Sequence, residues 1–138
     1  MKILVINGPN LNLLGKREVN FYGKQTIEEI IESLQKKYTS AEIDYVQSNI
    51  EGELVNYLQK ANQRYDGIVL NAAAYTHTSI AIADAIKAIE TPVVEVHLSN
   101  IFAREKERHI SLLSANCIGS ISGFGPASYE LAIHYFNL

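Results

Sequence analysis

Ile3-Leu4-Val5-Ile6, followed at once by Asn7-Gly8-Pro9-Asn10, is the stretch from which the fold can be read. Four apolar residues without alternation read as a parallel strand buried on both faces, because an antiparallel strand with one wet face alternates. The Asn-Gly-Pro-Asn that follows is strong turn chemistry and ends the strand. A strand covered on both sides needs helices on both sides, so the rest of the chain should alternate strand and helix.

Working outward, it does. Thr26-Ile27-Glu28-Glu29 is a capping box, and Ile27, Ile30, Ile31, Leu34 and Tyr38 recur at helical spacing, predicting a first helix to about Tyr38. Ala41–Gln47 alternates enough to read as a second strand nearer an edge, and Leu54, Val55, Leu58 and Ala61 mark a second helix. Asp66-Gly67 turns into the strand Ile68-Val69-Leu70, which ends at Asn71. Ser79 to Ile89 is a third helix that is apolar almost all round, so one side should face the sheet and the other a second subunit. Asp84 in its midst is then a buried polar contact or an interface residue. Pro92 opens the fourth strand, Phe102–Arg108 is a short charged helix or turn, Cys117–Ser122 reads as the fifth strand, and Tyr129, Ala132, Ile133 and Phe136 mark the last helix.

Five strands alternating with helices predict an α/β three-layer sandwich with a parallel sheet, in the flavodoxin-like order 2-1-3-4-5. In that order a site lies beyond the carboxyl ends of the strands. Asn7 and Asn10, Asn71 through His77, and His97 with Ser99 should therefore converge in one crevice.

At 138 residues the chain is expected to be one domain, 1–138, with a core large enough to need no staples. A net charge of −3 with dispersed Lys and Arg argues against nucleic-acid binding, which needs clustered cations. Cys117 is the single cysteine, so no internal disulfide is expected, as in a reducing cytosol. No apolar run approaches a membrane span, and the short start before Asn7 does not read as a leader, so a cytoplasmic protein is expected.

Val94-Glu95-Val96-His97-Leu98-Ser99 places a histidine where an apolar strand breaks into polar residues. A lone histidine is commonly a satisfied core residue, but one at a strand end sits on rigid backbone facing an opening, where a general acid belongs. Glu95 lies two positions earlier, on the same face, and suits an orienting carboxylate. His77, in Tyr75-Thr76-His77-Thr78-Ser79, stands before the third helix, where hydroxyls cap the helix and backbone N–H groups bind anions. From Asn10 to Gly23 the chain lacks periodicity for about a dozen residues, long for such a connection and typical of a lid or binding loop, though a surface excursion looks the same. Its Arg17 and Tyr22 could make a phenolate base, since an adjacent guanidinium lowers a phenol's pKa. Ligand spacing for zinc is missing, the glycines match neither a P-loop nor a dinucleotide fingerprint, and no lysine sits in an apolar segment fit for Schiff-base chemistry.

Taken together, Asn7-Gly8-Pro9-Asn10-Leu11-Asn12-Leu13-Leu14-Gly15, Arg17-Glu18, Tyr22-Gly23, Ala74-Tyr75-Thr76-His77-Thr78-Ser79, Glu95-Val96-His97-Leu98-Ser99-Asn100, Arg104-Glu105 and Gly123-Phe124-Gly125 closely resemble type II 3-dehydroquinate dehydratases over essentially the whole chain. The resemblance implies dehydration of 3-dehydroquinate to 3-dehydroshikimate in the shikimate pathway, through an enolate, with no metal or other cofactor. It implies that Tyr22 removes the C2 proton, that Arg17 favours its phenolate, that His97 protonates the departing C1 hydroxyl and that Asn10 helps hold a water. Residues 15–23 would form the lid. Asn71, His77, Leu98, Ser99 and Arg108 match substrate-binding positions, the amides of Leu98 and Ser99 taking the carboxylate. Asp84 matches a residue that reaches a neighbouring subunit's site within a trimer, and trimers are expected to assemble into a dodecamer. Three stretches depart from the pattern. Asn71-Ala72-Ala73-Ala74 replaces the more usual Asn-Pro-(Gly/Ala)-Ala, Glu107 stands where Phe is usual, and His109-Ile110-Ser111 replaces a frequent His-His-Ser. A competing reading from another class is a non-catalytic flavodoxin-like module that binds a nucleotide or flavin in the same crevice.

Overall fold

The apolar run at the start does take the centre of a parallel sheet. The computed structural model describes residues 1–16 and 24–138; Arg17 and Tyr22 lie outside the described residues. The strands are β1 (Lys2–Asn7), β2 (Glu42–Gln47), β3 (Gly67–Asn71), β4 (Val93–His97) and β5 (Gly119–Ser122), all paired in parallel in the order β2-β1-β3-β4-β5. The helices are α1 (Ile27–Lys37), α2 (Glu51–Ala61), α3 (Ile80–Ala88) and α4 (Ala127–Phe136).

Strand parity divides the core. Ile3 and Val5 of β1, Val69 of β3, and Val94 and Val96 of β4 pack with α1 and α4. The alternate residues Leu4, Ile6, Ile68, Leu70 and Val93 pack with α2 and α3. Full burial on both faces is what the unbroken apolar runs demanded.

The helix starts follow local chemistry. Thr26 caps α1 through the reciprocal box with Glu29, and Ser79 caps α3, its Oγ accepting the Ile82 N–H at 2.9 Å. Lys37 and Glu130 form an ion pair that links α1 to α4 across their shared face.

Two expectations shift. β5 begins at Gly119 rather than Cys117, because Cys117 terminates a one-turn 3₁₀ helix, Ser114–Asn116, and packs half-buried against the α2/α3 side. The outward face of α3 is open in the single chain: Ile80 is 69% exposed, and Ala81, Asp84 and Ala88 are exposed beside it. Asp84 is thus a surface residue and not a buried contact. Among the described residues, no helix is long and apolar enough to cross a membrane.

The turn after β1 packs closely against the end of β3. Gly8 N–H donates to Asn71 O at 2.7 Å, and a Cβ on Gly8 would stand 2.5 Å from Ala72 O. Backbone cannot yield as a side chain does, so Gly8→Ala should destabilise the fold by about 1–3 kcal/mol, the usual range for overpacking. Urea unfolding of the variant checks this, and a loss below about 0.5 kcal/mol would show that the joint has more slack than the geometry allows.

Candidate active site

The carboxyl ends of β1, β3 and β4 open into one crevice, lined among others by Asn71, His77, His97 and Ser99. His97 ends β4 and lines the crevice, although its ring is nearly buried. Its Nε2 lies 2.5 Å from Glu95 Oε2. The other carboxylate oxygen, Oε1, accepts from Ser111 Oγ at 2.9 Å and Ser114 Oγ at 2.6 Å. Ser111 Oγ itself accepts the amides of Leu113 and Ser114, both at 3.1 Å, so its one proton is directed to Glu95.

Glu95 is completely buried. Burial alone would raise its carboxyl, but the hydrogen bonds from His97, Ser114 and Ser111, with the His97 charge, outweigh this and hold it below its ordinary value. An ionised Glu95 accepts a proton-bearing Nε2. His97 is then left with Nδ1 as the nitrogen able to exchange a proton with a ligand.

His77 stands across from His97, with ring centroids 6.3 Å apart and planes inclined by 22°. Its Nδ1 lies 2.8 Å from Ile110 O, and Leu112 N–H donates to Thr76 O at 2.9 Å, so residues 110–112 are stitched to the segment that carries His77. Since a carbonyl only accepts, Nδ1 bears the proton and Nε2 is left for a ligand. Arg108 and Arg104 bring positive charge to the same rim. Arg108 Nε is 2.5 Å from Glu105 Oε1, and this hydrogen bond is the main cause holding the Glu105 carboxyl below its ordinary value.

Behind Leu98 and Ser99, the strand end is locked by Gly123 N–H on His97 O (3.2 Å) and Gly125 N–H on Leu98 O (2.9 Å). Gly123 and Gly125 have φ of +98° and +60°, conformations that an L side chain rarely adopts. The Gly-Phe-Gly spacing is therefore a backbone requirement of this lock. Asn71, at the end of β3, accepts the Ala73 N–H on its Oδ1 at 3.2 Å, and Asn10 lines the opposite wall.

The family model for class II dehydroquinase matches residues 1–137. The chain belongs to the class II dehydroquinase family. It is 51% identical over 140 residues to a 3-dehydroquinate dehydratase of Fusobacterium nucleatum, covering 98% of this chain and 95% of that one. It is 53% identical over 137 residues to one of Clostridium perfringens, with 97% and 94% covered. The type II dehydroquinase structure from Butyrivibrio crossotus superposes with a TM-score of 0.96 at 44% identity, covering 100% of this chain and 98% of that one.

In this class II dehydroquinase chain the crevice brings together Asn10, Asn71, His77, His97, Leu98, Ser99 and Arg108 from the residues singled out in the sequence. Glu95 lies behind His97 as an orienting group. Asn7, expected in the crevice, does not line it; its buried side chain turns into the α1/α4 layer and accepts from Tyr129. Asp84 also stays off this wall, on the outward face of α3. Arg17 and Tyr22 lie outside the described residues; before them Leu14 lines the crevice, and a Cβ on Gly15 would be 2.6 Å from Lys24 O. Sequence reasoning missed Arg104 as a rim residue, and with it the apolar wall of Leu11, Leu14 and Ile101. Arg104 lies in the Phe102–Arg108 stretch read as a short charged helix or turn, and its spacing of four from Arg108 is the signal that could have placed it.

The serine clamp on Glu95 has a pH signature. With its folded pKa depressed, Glu95 contributes stability that is complete above its unfolded value and is lost as the pH falls through the folded value. Ser111→Ala combined with Ser114→Ala removes two donors and raises the folded value. The variant should then be less stable than the parent near neutral pH and lose less stability on acidification, so that the gap between them narrows as the pH falls. Urea midpoints between about pH 3 and about pH 7 measure this, and coincident acid profiles would exclude the clamp.

Proposed function

We propose that the protein dehydrates 3-dehydroquinate to 3-dehydroshikimate, with 1–138 acting as one catalytic domain. The observation that carries this reading is the pairing of His97 with a buried, ionised Glu95 at a strand end, opening onto a crevice rimmed by Arg104 and Arg108. Membership of the class II dehydroquinase family supplies the substrate.

Tyr22, as phenolate, takes the C2 proton, and the electron pair left behind is delocalised onto the neighbouring carbonyl oxygen as an enolate. Arg17 favours the phenolate and offsets the negative charge that develops. The enolate then collapses with loss of the C1 hydroxyl, which leaves as water after taking a proton from His97. Glu95 keeps the imidazole oriented through its hydrogen bond to Nε2. Asn10 helps hold a water near the enolate oxygen. Backbone amides of Leu98 and Ser99 take the carboxylate, and Asn71 and Arg108 grip hydroxyls beside His77. Residues 15–23 close over the bound substrate; Gly15, next to the crevice-lining Leu14, lies close to the Lys24 carbonyl.

The same reading extends to assembly. The exposed Ile80 and Ala81 beside Asp84 give α3 a surface suited to a second copy, with Asp84 reaching the neighbour's site within a trimer. Trimers would pair further into a dodecamer, and the enzyme would act in the cytoplasm.

Appearance of the conjugated enone, followed by ultraviolet absorbance with 3-dehydroquinate as substrate, tests the reaction; folded protein that forms no product would overturn it. Tyr22→Phe and His97→Ala should each lower kcat by about 10²–10⁴-fold, the usual worth of a positioned acid or base. Arg17→Lys should also fail substantially, since lysine keeps the charge and loses the planar fork. Near-normal turnover in any one variant would remove that residue from its role.

A further inference from the structure

We infer that Tyr129, on α4 and outside the crevice, is a positioning residue that sets which atom of Asn71 the substrate meets. The inference rests on the reading of Asn71 as a substrate contact. Tyr129 is completely buried, and burial pushes its phenol well above the ordinary range, so it acts as a neutral hydroxyl. Its oxygen lies 3.0 Å from Asn71 Nδ2 and 2.7 Å from Asn7 Oδ1. Asn7 and Asn71 stand opposite each other in register at the ends of β1 and β3, so one hydroxyl from α4 bridges both strand ends.

The polarity of this chain follows from its one member that cannot be reversed. The Ala73 backbone N–H can only donate, so the Asn71 atom 3.2 Å away is the amide oxygen. The amide nitrogen therefore faces Tyr129, which must accept. A phenol has one proton, and here it goes to Asn7 Oδ1. Turning the Asn71 amide over would set its oxygen against a hydroxyl whose proton is committed elsewhere and leave Ala73 N–H facing an NH₂ group. Asn71 is thereby held in a single orientation. It has one remaining N–H on Nδ2 to present, so it meets a ligand oxygen chiefly as a donor.

The same bonds support the wall beside it. Ala73 has φ +53°, in the left-handed region that is unfavourable for alanine, and the Asn71 oxygen holds its N–H there. Ala73 and Ala74 both line the crevice. A hydroxyl under the sheet thus fixes a hydrogen-bond donor and the adjacent backbone above it.

Steady-state kinetics with 3-dehydroquinate on Tyr129→Phe, Asn71→Ala and the double variant test this. Losing one neutral hydrogen bond is worth a factor of about three to ten, so Tyr129→Phe should raise KM by roughly that amount with kcat within about twofold. Asn71→Ala should raise KM further, and adding Tyr129→Phe to it should raise KM no more, because the tyrosine acts through the amide that is gone. Ile133→Val, equally buried on the same helix but outside the network, provides the stability control and should leave KM unchanged. If Tyr129→Phe does not fold, Asn7→Ala decides. Asn7 does not line the crevice, and freeing the phenol's proton should still raise KM. An unchanged KM in the folded Tyr129→Phe variant, an equal KM increase in both backgrounds, or the same increase in Ile133→Val would overturn the inference. An unchanged KM in Asn71→Ala would instead refute Asn71 as a substrate contact and take this inference with it. Absence of product from the parent protein would refute the reaction itself.

Discussion

Glu95 carries a carboxylate with no exposure to solvent, on a strand covered from both sides. An ion in that position is tolerable only if its lone pairs are filled, because removing a charge from water costs several kcal/mol. Three side chains fill them: His97 from the same strand, and Ser111 and Ser114 from the segment between β4 and β5. That requirement pulls the connection back under the strand end instead of letting it loop into solvent. Once residues 110–114 are held there, Ile110 can meet His77 and Leu112 can meet Thr76, and the preceding turn with Arg104 and Arg108 is brought to the rim. One buried charge thus orders both the histidine pair and the cationic side of the crevice. Cys117 nearby is inert chiefly because it is buried: burial, and to a lesser degree the Glu95 charge, pushes its thiol up to about 12, so little thiolate exists at neutral pH.

The sheet carries two polar networks, separated by the alternation of its strands. Glu95 and His97 point to the α2/α3 side, together with Leu70 and Val93. Asn7 and Asn71 fall on the other parity, with Val5 and Val69, and meet Tyr129 of α4. Each network takes its outer support from the element that covers its own face. The crevice lies where both reach the end of the sheet, so a ligand there touches groups braced independently from above and below. Such a division limits how far a packing defect on one face can disturb the groups braced from the other.

Much of this was legible in the sequence because it depends on local periodicity. The unbroken Ile3–Ile6 run, the Thr26–Glu29 box and the two-residue spacing of Glu95 and His97 each state their geometry within a few positions. What escaped depends on distant pairing. Tyr129 is one of eight tyrosines, and nothing in its neighbourhood reveals that its hydroxyl would meet residues 58 and 122 positions away. Ser111 and Ser114 read as loop polarity until Glu95 is seen to need donors. Asn7 was grouped with the crevice because it ends a strand, but its side-chain direction follows from parity, which places it beneath. The early start assigned to β5 has a similar origin: Cys117 and Ile118 continue an apolar pattern that the 3₁₀ turn interrupts. Arg17 and Tyr22, the two expected lid groups, lie outside the described residues.

The Asn71-Ala72-Ala73-Ala74 stretch, where a proline is usual at the second position, shows how a missing rigid residue is compensated. Proline would restrict φ at that position and remove conformations from the unfolded chain. Alanine does neither, and Ala73 must still adopt a left-handed conformation that costs a non-glycine residue roughly 1–2 kcal/mol. Three constraints hold the turn in place of the ring. Ala72 is fully buried and sits so close to Gly8 that no side chain fits between them. Asn71 O accepts the Gly8 N–H, tying the turn to the end of β1. The Asn71 side chain accepts the Ala73 N–H while the other end of its amide is anchored to Tyr129. The turn beneath His77 is therefore fixed by tertiary contacts where a proline would have fixed it covalently. Its rigidity then depends on the integrity of the α4 face, which ties the geometry of the crevice to a helix that does not line it.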